Sequence, residues 1–238
     1  MKLLCAGDSL VNGFPFSRMD SFPSIIARKT GIEVTNIGMN GITADDTAAY
    51  LNRTLTEMGV ADRSSSKTDD IIMDNSTSDI QGSSIPDAVL ISCGSNDFMM
   101  GISTPEDVSR LINVMAAQAH AAGVSDVFVC APPLTDPSKA SVMWMPGVDY
   151  ERVNRDLKEY RDLLEQFAIN SNDHIDETPT SKNLDSEMHI AKKHIHFVDV
   201  QSAYTRLAKY SDGVHPTKEG YQLIADTIIH ILSQPSNL

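Results

Sequence analysis

Short apolar runs of strand length alternate along this chain with longer stretches in which apolar residues recur every three to four positions. The runs Lys2–Gly7, Glu33–Ile37, Ala88–Cys93, Val127–Ala131 and His196–Val200 predict strands. The stretches Phe22–Lys29, Ala44–Met58, Pro105–Ala122, Tyr150–Asn170 and Thr217–Ser233 predict helices. Such alternation predicts βαβ units around a parallel sheet. One helix start is explicit. Thr104-Pro105-Glu106-Asp107 offers a Thr N-cap, a proline at the first helical position and acids in the first turn, and Gly123 ends the period. No internal repeat is present, so residues 1–238 read as a single α/β domain.

Two stretches break the pattern. Ala61–Ser84 is polar and rich in Ser and Asp, and it joins a helix to the next strand. That connection belongs at the N-terminal edge of the sheet, whereas ligands of open parallel sheets bind at the C-terminal edge. A surface loop or partner contact is therefore expected there, not a lid. Leu134–Asp149 follows a strand and belongs at the reactive edge. It carries Met143, the only tryptophan Trp144, and Met145, an apolar cluster suited either to line a substrate site or to pack the loop down.

Composition narrows the function classes. The formal net charge of -13, from 19 Lys+Arg against 32 Asp+Glu, argues against nucleic acid or an anionic lipid surface as partner. No run is long enough to span a membrane, and the apolar stretch after Lys2 is too short for a secretory signal. Cys5, Cys93 and Cys130 each fall in a predicted strand, without CxxC or Cys/His spacing. They read as reduced, space-filling thiols of a cytoplasmic protein, not as metal ligands. His174, His189, His194 and His196 crowd the segment entering the last strand, far from the reactive edge. Solvated surface histidines are expected, so neither a metal nor any other cofactor is.

The chemistry-bearing residues lie at strand ends. Gly7-Asp8-Ser9-Leu10 follows the first strand, and Asp212-Gly213-Val214-His215-Pro216 precedes the last helix. A serine, a histidine and an aspartate supply nucleophile, base and the carboxylate that fixes the base's tautomer. Ester cleavage also needs donors aimed at the developing oxyanion. Ser9 offers its backbone N–H, the Gly/Asn-rich turn Asn36–Thr43 a glycine N–H, and Gly94-Ser95-Asn96-Asp97 an amide side chain. Asp8 and Asp97 read as turn stabilisers.

Through these blocks the chain resembles the SGNH hydrolases, the GDSL esterase/lipase family. GDSL at Gly7–Leu10, NIGMNG at Asn36–Gly41, GSND at Gly94–Asp97 and DGVHP at Asp212–Pro216 occur in order over nearly the whole chain. The resemblance implies a flavodoxin-like, three-layer α/β/α sandwich with a five-stranded parallel sheet. It implies catalytic Ser9, Asp212 and His215, with an oxyanion hole of Ser9, Gly41 and Asn96; Gly38 is the alternative to Gly41.

The expected activity is hydrolysis of a small-molecule carboxylic ester through an acyl-enzyme, with relatives acting on simple esters, lysophospholipids, thioesters and O-acetylated sugars. Met143, Trp144 and Met145 favour an acyl chain, and the polar Ser138–Ser141 a carbohydrate O-acetyl ester. A non-enzymatic nucleotide-binding module shares the topology. The Gly7–Phe14 loop, however, lacks the glycine pattern that cradles phosphate, and that reading leaves Asn96, Asp212 and His215 without a role.

Overall fold

Strands buried on both faces need apolar residues at nearly every position, which is why the runs at Lys2–Gly7, Ala88–Ser92 and Asp126–Cys130 are nearly continuous, whereas Glu33–Asn36 and His194–Val198, at the two sides of the sheet, mix polar residues in. In the computed structural model, which describes residues 1–65, 85–173, 193–205 and 209–234, five of them form one sheet. They are β1 (Lys2–Gly7), β2 (Glu33–Asn36), β3 (Ala88–Ser92), β4 (Asp126–Cys130) and β5 (His194–Val198). All pair in parallel, in the order β2-β1-β3-β4-β5. The order reverses between β1 and β3, the place where open α/β sheets leave a crevice at their C-terminal edge.

Successive residues serve opposite layers. Leu4, Ala6, Val89 and Ile91 face a core shared with α3 (Ala44–Ser65), α5 (Pro105–Ala122) and α7 (Tyr150–Asp173). Leu3, Cys5, Ala88 and Leu90 face α2 (Phe22–Thr30), α8 (Val200–Thr205) and α9 (Lys218–Leu232) on the other side. The molecule is an α/β/α sandwich.

Most expected elements stand within a residue or two of their predicted ends, and α5 coincides with its prediction. There Thr104 Oγ1 accepts the Asp107 N–H at 3.2 Å while Asp107 Oδ2 accepts the Thr104 N–H at 3.1 Å, a reciprocal cap. Three differences have local causes. β5 begins and ends two residues earlier than predicted; its end is set by Asp199, whose carboxylate accepts the Ser202 N–H at 2.8 Å and starts α8 where strand was expected. Pro137–Met143, read as loop, is the short helix α6, with Asp136 Oδ1 accepting the Lys139 N–H at 3.2 Å and proline at the first position. The polar stretch 61–84 begins inside α3, which runs to Ser65; residues 66–84 lie outside the described residues, as do His174 and His189.

Candidate active site

The position of Ser9, the expected nucleophile, is built by the end of β1. Asp8 Oδ1 accepts the Leu10 N–H at 2.9 Å and caps α1 (Ser9–Asn12), a single turn whose first residue is Ser9. An N–H in the first turn of a helix has no intrahelical acceptor, and no described residue accepts that of Ser9. Asp8 itself is buried, and among the described residues its Oδ2 has no hydrogen-bond partner. Burial pushes its carboxyl up to about 6, against the Leu10 N–H and the nearby His215, which favour the charged form.

His215, the expected base, comes from the loop before α9 (Lys218–Leu232). Tyr210 and Pro216 bridge across its neck, and the Ser211 N–H donates to His215 O at 2.7 Å. Inside this closed loop, Asp212 Oδ1 accepts the N–H groups of Val214 and His215 at 2.9 and 2.8 Å. That leaves Oδ2 facing His215 Nδ1 at 2.7 Å, and the opposite ring nitrogen, Nε2, stands 3.1 Å from Ser9 Oγ. An ionised carboxylate only accepts, so Nδ1 carries the proton and the Nε2 lone pair faces the serine hydroxyl. Burial raises Asp212, but the His215 ring and the two N–H donors outweigh it and hold the carboxyl below its ordinary range. His215 is 1% exposed, and its ring packs against both Phe14, at 4.6 Å between ring centres, and Trp144, at 4.5 Å, which also touch each other at 5.6 Å.

Two further connections converge on the same edge. Asn96 lies in the first turn of α4 (Ser95–Met100) and donates one Nδ2 hydrogen to Ile42 O at 2.8 Å, which leaves the second available. Its neighbour Asp97, raised by burial, accepts the Ala44 N–H at 2.9 Å. Gly41 is exposed with φ +76°, and nothing among the described residues accepts its N–H. The Gly38 N–H, by contrast, is taken by Asn36 Oδ1 at 2.9 Å.

A hydroxyl, an imidazole and a carboxylate in line, beside backbone and amide donors, can activate an oxygen nucleophile and hold an oxyanion. A family model, the GDSL-like Lipase/Acylhydrolase family, matches residues 5–223. The chain belongs to that family. Its members are hydrolases that act on esters, and this GDSL-like hydrolase is one of them.

Solved structures agree on the fold. A lipolytic protein of the G-D-S-L family from Veillonella parvula superposes with a TM-score of 0.66 at 14% identity, covering 99% of this chain and 100% of that one. A lipase/acylhydrolase from Enterococcus faecalis gives 0.63 at 18% identity over 97% and 94% of the two chains. A G-D-S-L family protein from Desulfitobacterium hafniense gives 0.60 at 19% over 97% and 98%. A search of curated proteins finds no match.

All the residues expected at the reactive edge of the GDSL-like hydrolase lie on connections that open there. Ser9, Asp212 and His215 touch in series; Asn96 and Gly41 stand on the neighbouring βα turns, joined through Ile42. Trp144 is half-buried and packs against the His215 ring, and its buried Nε1 has no hydrogen-bond partner among the described residues. Met143, the last residue of α6, and Met145, on the turn after it, are exposed, 58% and 40%. His196 pairs with Asp126 at 2.7 Å on the far edge of the sheet. Among the described residues no group of three His, Cys, Asp or Glu side chains stands close enough to hold a metal. The three cysteines are buried and free, and burial pushes each thiol up. No described helix is long and apolar enough to cross a membrane.

Phe14 was absent from the sequence reading. Nothing in its local pattern distinguishes it, because its role depends on a histidine two hundred residues away in the chain.

Proposed function

We propose that this GDSL-like hydrolase cleaves carboxylic esters through a covalent acyl-enzyme formed on Ser9. The observation that carries the reading is the 3.1 Å approach of Ser9 Oγ to His215 Nε2, with Asp212 behind the ring. As Oγ attacks the ester carbonyl carbon, Nε2 takes its proton and the carbonyl oxygen becomes negative. The Ser9 and Gly41 N–H groups and the free Nδ2 hydrogen of Asn96 are the donors assigned to that oxygen. Asp212 stabilises the imidazolium without taking the proton. His215 then protonates the departing alcohol. Water, deprotonated by the same Nε2, attacks the acyl carbon and releases the acid and free Ser9.

The rim supports an acyl chain over a sugar as the group recognised. Val142, Met143 and Met145 expose apolar side chains beside Trp144. Methionine adapts its shape to flexible apolar ligands.

Fluorophosphonate labelling followed by peptide mapping tests the chemistry. Modification at Ser9, lost in Ser9→Ala together with esterase activity, is the expected result; triad loss commonly costs on the order of a millionfold in turnover. Labelling elsewhere, or a Ser9→Ala protein with substantial activity, refutes it. A panel of p-nitrophenyl esters and acetylated sugars then reads the substrate class. A preference for acetylated sugars would make the enzyme a carbohydrate O-acetyl esterase instead.

A further inference from the structure

The turn that carries Ser9 and the turn that carries Gly41 share one guanidinium. Arg18, in the single 3-10 turn Arg18–Asp20 between α1 and α2, donates from Nε and Nη2 to Asn12 Oδ1 at 3.2 and 3.0 Å. Asn12 is the last residue of α1, whose first is Ser9. The same guanidinium donates from Nη1 to Asn36 O at 3.1 Å and from Nη2 to Gly38 O at 2.9 Å, both on the turn after β2. Asn12 then donates from Nδ2 to Asn40 Oδ1 at 2.8 Å, beside Gly41. None of these acceptors is a carboxylate. Four of five guanidinium hydrogens are therefore committed to neutral acceptors on two loops, an arrangement suited to fixing geometry and not to pairing charge.

The two loops also touch without intervening side chain. A Cβ on Gly38 would lie 2.5 Å from the Asn12 nitrogen, so their backbones meet directly. Contact holds them together, while the planar fork of Arg18 sets their register. An oxyanion hole shared between two loops works only when its donors lie at a fixed separation, because preorganised donors act without reorganising at the moment of reaction.

We infer that Arg18 is a positioning residue that sets the Gly41 amide against the Ser9 turn and so assembles the oxyanion hole, an inference that rests on the ester-hydrolysis reading above. Arg18 touches no reacting atom in this scheme. Its loss acts on kcat, because a misplaced donor weakens charge stabilisation present only in the transition state.

The test measures hydrolysis of p-nitrophenyl butyrate by the full chain as wild type, Arg18→Ala, Arg18→Lys and Asn12→Ala. In Arg18→Ala we expect kcat to fall about ten- to hundredfold, the cost of roughly an ångström of misplacement, with KM little changed. The pH dependence of kcat should stay as in wild type, since His215 and Asp212 are untouched. Guanidinium ion at non-denaturing concentration should restore part of the rate to Arg18→Ala, where sodium at equal ionic strength does not. Arg18→Lys should stay impaired, because an ammonium cannot present a planar fork. Asn12→Ala, which removes both the acceptor that ties Arg18 to the Ser9 turn and the relay to Asn40, should show a loss in kcat of the same kind, and keeps the test alive if Arg18→Ala does not fold.

Wild type labelled by fluorophosphonate at Ser9, with unchanged kcat in Arg18→Ala or Asn12→Ala, would overturn the inference and leave the serine hydrolase reading standing. A loss of kcat that guanidinium does not restore, or a rise in KM alone, would overturn it too. Failure of wild type to label at Ser9 would remove the reading itself.

Discussion

The indole of Trp144 stands edge-on to the imidazole of His215, ring centres 4.5 Å apart and planes at 77°. Phe14 meets the same ring at 4.6 Å and 65° and packs on Trp144 itself at 5.6 Å. Two aromatic walls thus hold a ring that a single carboxylate would leave free to rock about its Nδ1 hydrogen bond. Because Trp144 is the chain's only tryptophan, its emission is a local reporter of the base.

Acidification should therefore quench the Trp144 emission as His215 gains its proton, since imidazolium is an efficient quencher at contact. Esterase activity should rise with pH over the same interval, because only neutral Nε2 accepts the Ser9 proton. Fluorescence and kcat/KM titrations are expected to share a midpoint, and His215→Gln to abolish the fluorescence change. Distinct midpoints would separate the wall from the base.

Trp144→Ala removes one wall. An aromatic pair contributes about 0.5–1.5 kcal/mol, so kcat should fall roughly two- to tenfold while the Ser9 label still forms. Steady-state kinetics across acyl lengths decides the remaining point. A change confined to chain-length preference would mark Trp144 as a substrate wall and not a support for His215.

Asn96→Ala should lower kcat by about a hundred to a thousandfold with little change in KM, because its Nδ2 is assigned to charge that appears only in the transition state. Part of any stability loss will come from the broken bond to Ile42 O. Measuring the melting temperature beside the kinetics separates the two. A KM effect alone would make Asn96 a ground-state binding group.

Asp8 titrates upward because it is buried with one oxygen unpartnered, its carboxyl raised from 3.8 to about 6. A carboxyl whose pKa is raised on folding favours the native state below its unfolded pKa and loses that contribution as pH climbs through 6. Asp8→Asn keeps an acceptor for the Leu10 N–H and has no proton to lose. Relative to wild type, its stability should therefore improve between about pH 4 and 7, by up to about 3 kcal/mol. Urea unfolding of both proteins across that range provides the check. A pH-independent difference would mean that Asp8 stays charged in the fold.

Gly213 carries φ +95°, and a Cβ there would lie 2.3 Å from the Ala140 nitrogen of α6. Gly213→Ala must therefore push the catalytic loop off α6 as well as strain its own backbone, at about 1–2 kcal/mol for the conformation alone. Gly41 has φ +76° but open space around it, so Gly41→Ala should cost only the strain. Thermal unfolding is expected to rank Gly213→Ala well below Gly41→Ala. Equal stabilities would show that α6 does not brace the base loop.

The parallel sheet, the outer layers and the four blocks at the reactive edge were legible in the sequence because each rests on local order. Apolar runs mark doubly buried strands, Thr104 and Gly123 punctuate α5, and Ser9, Asn96 and His215 each follow an element end or precede an element start. Even the misplaced elements had local signals, Asp199 before α8 and Asp136-Pro137 before α6, that compete with an apolar run or sit in a loop. What only the tertiary structure decided concerns pairs far apart in the chain. The approach of Ser9 to His215, the Phe14 and Trp144 walls, and the sharing of Arg18 between two loops depend on which strands are neighbours. Local propensity acts over one turn or one strand, whereas these contacts are fixed when the β1/β3 reversal brings separate connections to a single edge.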